Sequence, residues 1–328
     1  MSRLAEDGFA RAALLSGCCF SAGLAEARAL MSTGRAEQAE RLLASLVPPT
    51  PAHAVMLATQ RAGNLFWALD RPEEAQALLE GAPELIALRA RFAFAQGDPR
   101  AALALAAPIE AATDASPAAR IAAAVALAEA FAVCGRPDEA VAVAKRWEGR
   151  SERRFARAQA MAHWLAGNLP EATVDAERAY AAATHSHAVA MAALQLGHVW
   201  LSRGDLDRAL RWFRESSALW RSADPARMRP AALAGIAQVA AQAGDATHAR
   251  AAVAQIDDHR GRGVGEEIGL AHAWTARVCG DRAEAIRIAT EVVRRAEARG
   301  ADGCAARARG ELARLAEPST TLKGVRPR

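Results

Sequence analysis

Trp67, Trp164 and Trp274, with Arg91, Arg157 and Arg277, are the side chains of this 328-residue sequence best suited to recognition. An indole is a rigid amphipathic contact surface, and a guanidinium can hold a carboxylate through two parallel hydrogen bonds. These six share one spacing with Asn64 and His198: each stands 3, 6 or 10 residues before a Gly- or Asp-type turn. The same count, extended to 2 and 13 residues, adds Arg28, Gln60, Phe94, Glu129, Arg154, Met161, Met191 and Gln238. Taken singly, such a tryptophan reads as core between helices and such an arginine as solvated surface. Taken as a set, they read as one lined groove for a protein segment or a small-molecule effector.

Bond-making chemistry has no comparable support in the sequence. It contains no HExxH, no GxSxG and no paired carboxylates at catalytic spacing. His185 and His187 are two apart and leave a helix on different faces, so they cannot share a metal. No patterned carboxylate accompanies His163, His198 or His272. The reading is therefore of a non-enzyme with no cofactor and no metal. The cysteines, Cys18, Cys19, Cys134, Cys279 and Cys304, are odd in number and form no CxxC. Cys134 and Cys279 fall one residue before a turn, which predicts buried reduced thiols. Gly261-Arg262-Gly263-Val264-Gly265 resembles a phosphate loop, but no strand precedes it and it reads as a joint.

The elements that would position the groove are set by eight turns. Gly34, Asp70, Gly97, Gly135, Gly167, Gly204, Gly244 and Gly280 are each followed five residues later by an alanine: Ala39, Ala75, Ala102, Ala140, Ala172, Ala209, Ala249 and Ala285. Seven residues before them stand Ala27, Gly63, Ala90, Ala128, Ala160, Gly197, Ala237 and Ala273. Small residues at two fixed offsets are what a helical hairpin needs where its helices cross closely. Helix-start signals follow the turns, as in Asp98-Pro99, Asn168 with Pro170, Asp205, Asp245 and Asp281. The steps between turns run from 27 to 40 residues and average about 35, which is the period of a helical repeat. A helix over 52–69, another over 72–81 and a last one over 302–316 are expected. The Asp224-Pro225 segment loosens the longest step, and the polar tail 318–328 reads as disordered.

Charge narrows the partners. The net charge of +4 divides into −2 over residues 1–150 and +6 over 151–328, with basic and acidic residues interspersed. That describes a solvated helix surface and not the clustered stripe of a nucleic-acid binder, so no direct nucleic-acid binding is expected. No apolar run approaches the ~20 residues of a membrane span. Leu15-Ser16-Gly17-Cys18 matches a lipoprotein cleavage box, but the stretch before it is too short and carries Glu6 and Asp7, so a cytoplasmic location is expected.

The repeat period and the small residues at the crossings resemble a tetratricopeptide-repeat protein. Asn64-Leu65-Phe66-Trp67-Ala68-Leu69-Asp70-Arg71-Pro72-Glu73-Glu74-Ala75 goes further, as does Ala271–Ala316 with its Ala-Trp-Thr-Ala-Arg and Gly-Asp-Arg-Ala-Glu-Ala. Both are similar to the sensor arms of the large MalT-like regulators of the LuxR family. The resemblance implies an all-α, right-handed α-α superhelix of about eight hairpins over 1–317, with a C-terminal capping helix and a role in transcription regulation. Those regulators also carry a P-loop module and a helix-turn-helix. This sequence has no GxxxxGK[ST], and it ends at Leu322–Arg328 where the DNA-binding domain would begin. A general interaction scaffold unrelated to transcription is the alternative. The carboxylate clamp of chaperone-binding repeats is not matched, since Gln60 takes the lysine place beside Asn64.

Overall fold

Within each hairpin the chain reverses between its two helices through a residue with positive φ. Gly34, Gly97, Gly135, Gly167, Gly204, Gly244 and Gly280 lie between 73° and 93°, and Asp70 at 52° is the one non-glycine among the described residues to do the same. The left-handed region costs a glycine nothing and ends a helix by returning late N–H groups to its last carbonyls. Asp98 N–H donates to Ala93 at 2.9 Å and Asp245 N–H to Ala240 at 2.8 Å in this way. Side-chain caps start the next helix: Asp98, Asp205, Asp245 and Asp281 each accept from the N–H three residues on. Asn168 makes no such bond, and Pro170 alone marks that start.

A computed structural model describes residues 19–147, 149, 152–184, 186–223, 228–257 and 265–317. The lipoprotein-like box, His185, Asp224-Pro225, most of the 261–265 joint and the tail 318–328 lie outside them. The hairpins are α1 (19–32) with α2 (Ala36–Ser45), α3 (Pro51–Gly63) with α4 (Pro72–Ala77), α5 (Pro83–Ala95) with α6 (Pro99–Ala111), and α7 (Pro117–Val133) with α8 (Pro137–Arg146). They continue as α9 (Glu152–Leu165) with α10 (Leu169–Ala182), α11 (Ser186–Ser202) with α12 (Leu206–Ala223), α13 (Arg229–Gln242) with α14 (Ala246–Asp257), and α15 (Gly265–Val278) with α16 (Arg282–Ala298). A last helix, α17 (Asp302–Ala316), follows Gly300. The described residues contain no strand and no helix long and apolar enough to cross a membrane. The fold is an all-α superhelix of repeated hairpins.

Packing obeys the small-residue register. All eight alanines after the turns are buried, at 0 % or 1 % exposure, as are the six alanines seven residues before them. Gly197 shows why the position must be small: a Cβ there would lie 2.6 Å from the ring of Phe213. Gly63 breaks the register. The end of that helix widens into a π-helix over Asn64–Ala68, so Arg71 N–H must reach six residues back, to Leu65. One inserted residue moves the crossing to Ala62, which is fully buried, and a Cβ on Gly63 would meet nothing within 4 Å.

The superhelix also closes on itself. α17 packs on α15 and α16, as a cap would, but it also packs on α7 and α9 of earlier repeats. A Cβ on Gly303 would lie 2.7 Å from the Ala132 carbonyl oxygen, so the two backbones touch without side chains between them. Beside this seam, Arg299 covers Gly97 and Arg100 covers Gly300.

Candidate binding groove

The first helices of the hairpins line the inner face, and the open part of that face lies at its N-terminal end. A cavity of about 370 Å³ there is bounded by Arg28 of α1, Met56 and Gln60 of α3, Glu84, Leu88 and Arg91 of α5, and Ala122 of α7. Two of its polar groups are committed. With its amide oxygen turned toward Arg28, Gln60 accepts from the guanidinium at 2.7 and 2.8 Å. Glu84 accepts from Ser116 Oγ at 2.6 Å. Met56 stays exposed, an apolar side chain on the rim.

Charge in this half is unbalanced. Arg157 donates to Glu129, which is buried, and that pair is closed. Arg91 and Arg154 are exposed and have no carboxylate within bonding distance among the described residues. Enclosure by surrounding protein lowers the Arg91 pKa, Glu129 raises it, and the charges of Arg157 and Arg154 lower it again. A guanidinium stays protonated through such a change. The result is the Arg91 cation, with no bonded carboxylate, on a concave, partly apolar wall, and the Arg154 charge close enough to act on it.

The other half of the inner face is covered by α17. Arg307 lies over the Trp164 ring, 4.5 Å from its centroid, and holds Glu267 of α15 in a two-bond pair at 2.7 and 3.1 Å. Trp164 donates to Ser202 Oγ at 2.8 Å and stacks on His198 with centroids 5.1 Å apart. Trp274 donates to Glu311 of α17 at 3.1 Å, and Arg314 of α17 donates to Gln242 at 3.0 Å. Arg277 and Arg282 donate to the Glu317 and Ala316 carbonyls at the end of α17. Trp164, His198, Trp274 and Arg277 are thus gathered in one place, and α17 or the layer beneath it occupies them all.

Burial there shapes the electrostatics. His198 is 5 % exposed, and burial pushes its pKa down to about 4, with Arg307 adding to the fall and Glu267 opposing it. Burial pushes Glu267 up, but Arg307 and His198 more than offset that and hold it below the usual carboxylate range. His198 Nδ1 lies 3.8 Å from Glu267, and neither it nor Gln238 Oε1 has a hydrogen-bond partner.

Three sequence expectations are corrected by this geometry. Asn64 turns away from the groove: the π-helix aims its amide at α2, where it donates to the Ala36 carbonyl at 3.0 Å. His163 does have a carboxylate, Asp175 at 2.8 Å, supplied across the α9–α10 hairpin. The thiols are not uniformly buried, since Cys19 and Cys279 are exposed and Cys134 and Cys304 half-buried; the position before a turn points out of the helix crossing. Trp67 lies edge-on to Phe92 and also meets His187 of α11, each with centroids 6.0 Å apart, so it joins distant repeats.

Comparison with known proteins agrees with this architecture. The tetratricopeptide repeat family model matches residues 21–45, 87–108, 121–146, 153–174 and 190–215. No curated protein matches the sequence. Among solved structures, a Rap protein complexed with Competence and Sporulation Factor is similar at 15% identity and a TM-score of 0.51, over 90% of this chain and 97% of that one. A STAND signal-transduction ATPase with a tetratricopeptide repeat sensor from Pyrococcus horikoshii is similar at 13% identity and a TM-score of 0.49, over 87% of this chain and 52% of that one. The five matched segments each fall within the hairpins described above, so the chain is similar to tetratricopeptide-repeat proteins in both sequence pattern and fold.

Proposed function

We propose that this protein is a non-catalytic, cytoplasmic regulatory module whose open inner face binds an acidic segment of a protein partner. The observation that carries the reading is an open cavity lined by Arg91, which has no carboxylate bonded to it among the described residues and whose positive field is reinforced by Arg154. An extended segment placing an Asp or Glu against Arg91 and an apolar side chain against Met56 and Leu88 would satisfy both walls. A Rap protein of similar fold carries a bound factor, which accords with a fold that takes partners. The resemblance to MalT-like sensor arms supports a place in transcription regulation, and a neighbouring reading frame for a P-loop module or a helix-turn-helix would test that part.

The binding itself is tested with an array of degenerate peptides, each fixing one residue type at one position, probed with the full chain. Selection of Asp or Glu is expected, with at least tenfold weaker retention by Arg91→Gln and none of that loss in the surface control Glu139→Ala. Retention of the same acidic peptides by parent and Arg91→Gln alike would refute the site, and so would an absence of acidic selection. A small carboxylic acid that competes the peptides away at micromolar concentration would make the partner an effector instead.

A further inference from the structure

α17 packs its apolar side against α15 and α16 through Ala305, Ala308, Leu312 and Leu315, and adds a row of polar contacts across the inner face. Its one large, fully buried apolar side chain is Leu315; Ala305 and Ala308 fill the rest of its inner stripe. The specific grips are Arg307 between Glu267 and Trp164, Glu311 on the Trp274 indole, and the two arginines on its last carbonyls. Arg307, Glu311 and Leu315 stand four residues apart and so form one stripe along the helix. At its start, Gly303 meets the α7 backbone without a side chain, and Gly300, at φ 68°, supplies the turn from α16. By contrast, α13 buries ten residues in the repeat core.

We infer that the covered half of the inner face is a helix-binding seat filled in cis by α17, and that the partner fitted to it is an amphipathic helix carrying Arg, Glu and Leu at successive four-residue steps. The seat dictates that pattern. Glu267 takes a guanidinium through two bonds, Trp164 stacks on the same group, and the Trp274 N–H takes a carboxylate one turn further on. Leaving Glu267 unpaired in its largely enclosed place would be costly, so an equivalent cation that replaces Arg307 eases the departure of α17. A partner helix bringing the same groups remakes the same contacts. The exchange is then close to even, and a modest difference in affinity suffices to drive it. This deepens the reading of the inner face as a binding surface but concerns its other half, and its test does not use Arg91.

The test uses the full-length chain with Gly303→Val, whose side chain has to displace α17 from the Ala132 carbonyl. The probe is a fluorescent synthetic peptide of residues 302–317. Hydrogen exchange of α17 amides is expected to quicken at least tenfold in the variant, with α13 to α16 at parental rates. The peptide is expected to bind the variant at least tenfold more tightly than the parent, and a peptide carrying Arg307→Glu to lose that binding. Cooperative unfolding of the variant, or quickened exchange spreading through α15 and α16, would make α17 part of the core and overturn the inference. A folded variant that binds neither peptide, or both equally, would overturn it as well.

Discussion

Acid should loosen this protein well above the range in which its carboxylates titrate, and one side chain should account for it. His198 is held neutral beneath α17, its pKa pushed from 6.5 down to about 4 by burial, with Arg307 beside it. In the unfolded chain the imidazole titrates near its ordinary 6.5, so between pH 6.5 and 4 the unfolded state binds a proton that the folded state refuses. Stability therefore falls as pH drops through that window. The gap corresponds to about 3 kcal/mol in full, of which about 2 kcal/mol is lost between pH 7 and 5. Glu267 is held below the usual range, so its contribution is lost only at lower pH and stays out of the window. The assay is urea denaturation of the parent and His198→Gln at pH 7 and pH 5. The substitution has a cost of its own, and comparing the two pH values removes it. The parent should lose about 2 kcal/mol more than the variant on going to pH 5. Equal losses would show that His198 is solvated or protonated in the folded protein, and the buried network under α17 would have to be redrawn.

Two further outcomes follow from the hairpin register. Ala209→Leu and Gly235→Ala both force atoms into a filled crossing, the second against the ring of Phe213, which is wholly buried. Each should lower stability by about 1–3 kcal/mol in thermal or urea unfolding, and a parental midpoint would place the crossing elsewhere. Asp70→Gly should act in the opposite direction. Asp70 occupies the left-handed region at φ 52°, where glycine is unstrained, so the substitution should stabilise by about 0.5–1 kcal/mol, and a lower midpoint would show that its side chain matters more than its backbone.

What the sequence made legible was whatever local geometry imposes. A left-handed turn selects Gly, and a close crossing selects Ala, so both appear as residue types at fixed offsets; helix α17 over 302–316 was readable from the same cues. The register failed at Gly63 because a π-helix adds one residue without any distinctive residue type, and Asn64, the first residue of that π-helix, turns away from the groove. The groove failed differently. Counting back from the turns did bring Trp164, His198, Trp274 and Arg277 to one wall, since positions that share an offset share a face. Their occupant could not be counted in that way. Arg307 reaches Trp164 across more than a hundred residues of chain because the superhelix curves back to meet its own end, and curvature is summed over every crossing angle and written in none of them. Arg91, left open in the cavity, stands out only once the closed half is known. An arginine without a carboxylate is ordinary on a convex surface, where water serves it. On a concave wall whose other charges are already paired, it is the part of the surface still able to choose a partner.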